Sequence, residues 1–372
     1  MAALNQRIAF TDERSMLLET AVAFCREKSP IRAVRDLLAS ETGFDPAVWD
    51  EMTALGWSGI AIPERHGGSG LTLAEAATIA EPMGRHLLAT PYASTQIAVQ
   101  ALLAGANAAQ QAESLPRIAQ GAIATVAVFE SEGDWDLTHI GSTATITHGT
   151  ARLDGQKSLV VDATVADLLL ASVMLDGAPA LAIIDTAALP PGRLRPESII
   201  DETRRNAGLD LTGLDLPATA LITGPAALTA IRDAGLLLAT AEACGGIAGV
   251  LDVTVDYLNT RNAFGRKIGS YQSLKHTCAD ILVGLERSRS HLFHAATLCA
   301  ANEPAEIALR MAKAESSDVF AHAGDRAIQF HGGFGFTWDC DAQLYLRRAL
   351  WLQYSFGDAP HHRRKLADLL LG

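Results

Sequence analysis

Arg261, Phe264 and Gly265 form an Arg-x-x-Phe-Gly turn, and Gln272 follows seven residues past that glycine. A guanidinium is a planar, permanently charged donor suited to a pyrophosphate, and glycine lets backbone amides approach it. The same pattern also serves simply to cap one helix and start the next. A second block, Gln329-Phe-His-Gly-Gly-Phe-Gly-Phe, places Gly332 and Gly333 beside His331, to which nothing gives a catalytic role. His291 and His294 stand i, i+3 on a predicted helix, a spacing that could hold a metal. No third ligand is near, so they read as polar positions on a helix face. Ser69 sits in Gly-Gly-Ser-Gly, which is not the strand-to-helix G-x-S-x-G of a hydrolase. Cys25, Cys244, Cys278, Cys299 and Cys340 include no C-x-x-C pair. An odd count without a basic, apolar leader reads as reduced, buried thiols in a cytoplasmic protein.

These groups need elements to hold them. Residues 1–121 read as helical, with helices at 12–28, at 46–56 and at about 73–88, 93–105 and 107–120. Pro46 and Gly56 bracket the second of these, the usual order of a helix start and stop. The link 57–68 is turn-rich, and Gly67 and Gly68 supply backbone freedom there rather than chemistry. Between 122 and 223 the period changes to short β-branched or alternating runs: 123–129, 143–147, 151–153, 158–161, 168–174 and 180–184. That spacing predicts a small barrel or sandwich. From 224 to 372 the helical period returns, at about 225–260, 272–301, 303–331 and 340–354, as an antiparallel four-helix bundle. The fold class is α+β, mostly α, in three domains: 1–121, 122–223 and 224–372.

On the first bundle helix Leu228, Ile231, Gly235, Leu238, Glu242, Gly245 and Gly249 recur in a seven-residue repeat. The small residues on that face allow close helix approach or room for a ligand. A net charge of −12 with no offsetting basic cluster excludes a nucleic-acid surface. No apolar run of membrane-spanning length is free of polar residues, so no membrane span is read.

The stretch 257–284 resembles the flavin-binding turn of the acyl-CoA dehydrogenases, and 329–336 is similar to that family's Q-x-x-G-G-x-G-[FY] block. The 57–68 link matches its L-G-W…P-E…G-G pattern. The resemblance implies that Arg261, Phe264, Gln272, Gln329, Gly332 and Gly333 contact FAD, and that they contact the FAD of a neighbouring subunit. It also implies that Asp233 lies near the substrate, and that an electron-transfer flavoprotein accepts the electrons.

Other parts depart from the family. Its T-E-P-x-x-G-S-D loop aligns with Phe129-Glu-Ser-Glu-Gly-Asp-Trp-Asp136, which has no proline and carries two further carboxylates, a charge unfavourable to a bound pyrophosphate. Its G-x-K-x-[WF]-[IV]-[TS] strand aligns with Gly155 to Val161, so Leu159 stands where an aromatic residue covers the flavin ring and Val161 where a hydroxyl follows. Family members take the α proton of the thioester with a Glu at one of two places, which fall here on Phe356 and on Gly235. Neither can hold a proton. Asp358, two residues past the first place, and Glu242, roughly 10 Å along the helix from the second, are the carboxylates left to act as a base. Each also has a simpler reading: Asp358 as a helix N-cap before Ala-Pro-His-His, Glu242 as a hydrogen-bonded polar residue inside the bundle.

The implied function is an acyl-CoA dehydrogenase subunit without its own base, completing the FAD site of a second subunit in an α2β2 heteromer that acts on a bulky, steroid-type acyl-CoA. The alternatives are a self-sufficient homomer using Asp358 or Glu242, and a flavin-free scaffold.

Overall fold

The computed structural model describes residues 12–130 and 134–372. Backbone contacts divide the chain into two units. One comprises the residues up to Leu38, Ala77–Ala89 and Leu236–Gly372; the other comprises Ala39–Ala76 and Thr90–Gly235. The helices in chain order are α1 (Asp12–Lys28), α2 (Ile31–Leu38), α3 (Pro46–Ala54), α4 (Leu73–Arg85), α5 (Tyr92–Gly105), α6 (Ala108–Ala119), α7 (Ala226–Thr260), α8 (Gln272–Ala300), α9 (Glu306–His331), α10 (Ala342–Tyr354) and α11 (Ala359–Leu371).

In the first unit α9 is the central helix and packs against α8, α10 and α11. Small residues let the helices close. A side chain at Gly246 would lie 2.1 Å from the Phe320 ring, and one at Gly324 would lie 3.0 Å from the Leu346 backbone. The glycine face of α7 serves the same end. A Cβ at Gly245 would meet the Glu81 carbonyl at 1.8 Å, and one at Gly249 the Arg85 carbonyl at 2.4 Å. Of the two uses open to that face, close helix approach is the one the geometry fills. Among the described residues α7 is also the one helix long and apolar enough, by length and composition, to cross a membrane. Its most apolar stretch is 94% buried within the protein, which makes it a core helix.

The second unit holds the strands. A seven-stranded sheet runs β10-β6-β5-β2-β3-β9, with β1 (Ala124–Ala127) paired to β5, and a three-stranded sheet runs β4-β8-β7. Strands β2 (Thr143–Thr147), β3 (Thr150–Asp154), β4 (Gln156–Val161), β5 (Leu168–Leu175) and β6 (Ala178–Asp185) lie within two or three residues of their sequence-based bounds. Two hairpin turns explain this: His148-Gly149 and Asp176-Gly177 place both central residues at positive φ, the turn that matches strand twist. Strands β7 (Leu194–Glu197), β8 (Asn206–Asp210), β9 (Leu214–Pro217) and β10 (Leu221–Thr223) were not separately legible. They are short and carry Pro196, Gly208 and Pro217, residues that read as loop. Helix α2 and helix α11 also exceed the sequence reading. Strands β11 (Asn262–Ala263) and β12 (Arg266–Lys267) form a hairpin after α7.

Candidate functional site

The end of α7 is finished by side chains. Lys267 Nζ donates to the Thr260 carbonyl at 2.7 Å, placing a cation on the negative end of the helix. The chain then turns back through the β11–β12 hairpin, whose two central residues are Phe264 (φ 52°) and Gly265 (φ 78°). Glycine suits this turn; a bulky aromatic residue at positive φ is a strained choice. Phe264 is 94% exposed at the hairpin tip. The hairpin is braced by Tyr271, whose ring lies 4.0 Å from the Arg266 guanidinium. Arg261 and Gln272 flank it, both exposed, and neither side chain makes a hydrogen bond among the described residues.

The glycine block follows α9. Gly332 ends the helix at φ 63°, and a Cβ at Gly332 or at Gly333 would meet nothing within 4 Å, so the backbone there stands open. Gly335 differs: its Cβ would strike the Ile328 carbonyl at 2.3 Å, which makes it a packing residue. Gln329 is exposed, and its side chain too is unpartnered among the described residues. His331 is buried, and its Nδ1–H donates to the Ala327 carbonyl at 2.7 Å. Its ring stacks on Tyr257 at 4.1 Å, and Phe334 lies 6.5 Å from the same tyrosine. The Tyr257–His331 stack therefore fixes the hairpin and the glycine block at one end of the first unit. His331 has a structural role, which the sequence could not show. Beside the block, Phe336 is 77% exposed, and Trp338 carries the Arg347 guanidinium 4.6 Å from its ring.

The six residues predicted to touch a cofactor thus share one exposed end of one unit, with open backbone, aromatic faces and unpaired donors. That donor set fits a dinucleotide: guanidinium for phosphate, amides for polar edges, rings for stacking.

The candidate bases are elsewhere and otherwise engaged. Glu242 is buried and its carboxylate accepts from Arg348, which is fully buried on α10. Asp358 is the N-cap of α11: its Oδ1 accepts from the His361 amide at 2.8 Å. In both cases the simpler reading of the residue is the one the geometry bears. Asp233 accepts from Arg232 Nε at 2.8 Å and is half-buried. His291 is half-buried and His294 exposed on α8, and among the described residues no group of three or more metal-ligating side chains occurs.

The loop that aligns with the family's flavin loop can be followed in part, since residues 131–133 of it lie outside the described residues. Leu159 sits at φ 54° on a bulge of β4, half exposed, with its amide donating to Glu197. Glu130, at the place of the family's own Glu in this loop, is held within its unit. It accepts from Lys157 Nζ at 2.6 Å and from the Ser142 amide and hydroxyl. Burial works against its ionisation, yet the bonds from Lys157 and Ser142 carry its pKa below the ordinary carboxylate range. Asp134 pairs with His139 at 2.6 Å. Of the two further carboxylates, Glu132 lies outside the described residues, and Asp134 stays an anion, its pKa lowered by the bonds from the Asp136 amide and from His139.

Comparison with known proteins gives the family. Residues 11–122 match the acyl-CoA dehydrogenase N-terminal domain and residues 233–371 the acyl-CoA dehydrogenase C-terminal domain. The acyl-CoA dehydrogenase IpdE2 of Mycolicibacterium smegmatis is 30% identical over 357 residues, covering 96% of this chain and 98% of that protein. Among solved structures, a variant of the Tcur3481–Tcur3483 steroid ACAD superposes with a TM-score of 0.89 at 28% identity, over 97% of this chain and 98% of its own. Butyryl-CoA dehydrogenase from Megasphaera elsdenii shares the fold, with a TM-score of 0.87 at 21% identity over 98% of this chain and 99% of its own. With both terminal domains and nearly the whole length matched, this chain belongs to the acyl-CoA dehydrogenase family.

Proposed function

We propose that this chain is the subunit of a heteromeric acyl-CoA dehydrogenase that completes the FAD site of a second, base-bearing subunit. The observation that carries the reading is Phe264: a large aromatic residue at positive φ, 94% exposed, beside an Arg261 with no side-chain bond among the described residues. Holding such a ring in water at a strained backbone costs stability, and a ligand that covers it offsets the cost. Arg261, Gln272 and Gln329 would hold the polar parts of the dinucleotide, the open backbone of Gly332 and Gly333 would admit it closely, and Phe264 would cover it.

Bound FAD supplies the hydride acceptor for α,β-dehydrogenation of an acyl-CoA thioester. The α proton goes to a carboxylate of the second subunit, because Glu242 and Asp358 are committed to an ion pair and a helix cap. The likeness to a steroid ACAD supports a bulky, steroid-derived acyl-CoA as substrate, and we place the chain in an α2β2 assembly with an electron-transfer flavoprotein as acceptor. The test is the visible spectrum of the chain expressed alone and with a candidate partner subunit. The reading expects a colourless chain alone and a yellow complex with one flavin per pair of unlike chains. Full flavin occupancy in the chain alone, bleached by an acyl-CoA, would overturn it in favour of a self-sufficient enzyme. No colour in either preparation would favour a scaffold.

A further inference from the structure

The segment 332–341 joins the glycine block to α10, and a side chain from the far end of the sequence holds it. Arg35 lies on α2, a helix absent from the sequence reading. It donates from Nη1 to the Trp338 carbonyl at 2.5 Å, and from Nη2 and Nε to Asp341 Oδ1 at 2.6 and 3.1 Å. Asp341 stands at the N-terminus of α10, where an aspartate ordinarily caps the helix. Its side chain makes no capping bond there and accepts from Arg35 instead. A planar guanidinium serves a carbonyl and a carboxylate together from fixed directions.

Between the glycines and that clamp the backbone is a run of successive turns. The Gly335 amide donates to the Gly332 carbonyl at 2.9 Å, that of Thr337 to Phe334 at 3.0 Å and that of Cys340 to Thr337 at 3.1 Å. Each turn fixes the next. The Tyr257–His331 stack anchors the near end of the run, and Arg35 anchors the far end. The rings of Phe336 and Trp338 stay exposed between them, with the Arg347 guanidinium over one face of Trp338. An exposed ring already held in the free chain loses little freedom when a ligand covers this end.

We propose that Arg35 is a positioning residue of the cofactor end, holding Trp338 and Asp341 so that Gly332, Gly333 and the exposed rings keep the arrangement a bound dinucleotide meets. The inference rests on the FAD-site reading and adds a residue that no motif marks, since Arg35 stands 303 and 306 residues from its partners. Arg35 acts through the segment and not on the cofactor. A merely structural ion pair predicts something else. The two side chains are 28% and 33% exposed, and such a pair gives folding little, so its loss alone would move neither a ring nor a bound flavin.

The first arm of the test uses the full chain labelled with 5-fluorotryptophan. Its tryptophans are Trp49, Trp57, Trp135, Trp338 and Trp351, and the Trp338 fluorine line is the one lost in Trp338→Phe. In Arg35→Met that line is expected to move toward its position in the urea-unfolded chain. The second arm uses the assembled flavin complex and reads FAD release on dilution. Arg35→Met is expected to speed release about 10-fold, the weight of one charge-assisted hydrogen bond. Asp341→Asn acts in the same direction, and the double variant is no worse than Arg35→Met alone. Asp341→Asn also carries both arms should Arg35→Met fail to fold. A Trp338 line that stays in place would overturn the proposal. So would a line that moves while the complex releases FAD as the parent does, and this result leaves the FAD-site reading standing. A parent complex that holds no flavin would overturn that reading, and the role of Arg35 with it.

Discussion

Whether Glu242 is a base or a structural ion is decided by breaking its pair with Arg348. Both side chains are buried, Arg348 completely and Glu242 to 4% exposure, so neither charge can turn to water when its partner is removed. Deleting one member of such a pair costs about 3–5 kcal/mol, because the other charge is left uncompensated. Unfolding entropy of about 2.1 cal/mol/K per residue, taken over the whole chain, gives a Tm drop of roughly 4–6 °C for Arg348→Met and a similar one for Glu242→Gln. Replacing both together, as Glu242→Leu with Arg348→Met, removes the charges as a unit and leaves Tm within about 2 °C of the parent. Thermal unfolding by circular dichroism measures the three variants, and flavin reduction by acyl-CoA in the assembled complex at low temperature measures their chemistry. A structural pair predicts lost stability with turnover per folded complex retained, and stability recovered in the double variant. The opposite pattern would refute this reasoning: an unchanged Tm for Glu242→Gln with turnover down by about 100-fold or more, the loss expected on removing a general base.

Other outcomes follow from the same geometry. Arg261→Ala leaves the unfolding free energy of the isolated chain within about 0.5 kcal/mol of the parent, since the side chain is exposed and unbonded among the described residues, but weakens FAD retention in the complex about 10–100-fold, read by flavin release on dilution. Phe264→Gly relieves a positive φ and raises the stability of the isolated chain by about 1 kcal/mol in denaturant unfolding, while FAD retention in the complex falls. Gly357→Ala puts a Cβ 2.8 Å from the His361 ring at φ 106° and costs about 1–3 kcal/mol, measured by the same unfolding. In a pH series the unfolded chain holds a proton that buried Lys313 has lost from about pH 7 up to its ordinary 10.5, so stability rises with pH there, by at most ~1.4 kcal/mol per unit. Burial of Cys25 holds its thiol up to about 12 against an ordinary 9.0, so the folded chain keeps a proton that the unfolded one loses, and stability falls above pH 9. The optimum is expected near pH 9, and the rising limb disappears in Lys313→Met.

What the sequence made legible was local, and what it hid was long-range. Asp358 could be read as a cap because Asp-Ala-Pro-His-His states its own purpose within one turn. Hairpins at His148-Gly149 and Asp176-Gly177 were equally self-contained. Glu242, by contrast, took its meaning from Arg348, 106 residues away, and Lys313 took its meaning from carbonyls 40 and 44 residues away. An acid on an apolar helix face and a lysine among alanines carry no mark of the groups they will meet. The glycine face of α7 lay between these cases, since its spacing was plain but only the Glu81 and Arg85 carbonyls decided what filled it. The exposed end formed by Arg261, Phe264, Gln272, Gln329, Gly332 and Gly333 belongs to neither class. Its spacing was legible, yet the fold that explains Glu242 and Asp358 supplies no hydrogen bond or ion pair among the described residues for the side chains of Arg261, Gln272 or Gln329. A side chain kept for its own fold carries a partner within that fold, as Lys157 carries Glu130. A large ring held at positive φ in water, beside an unbonded Arg261, leaves that end open to a group outside the chain, and the spectra of the chain alone and with a partner decide whether that group belongs to a like or an unlike subunit.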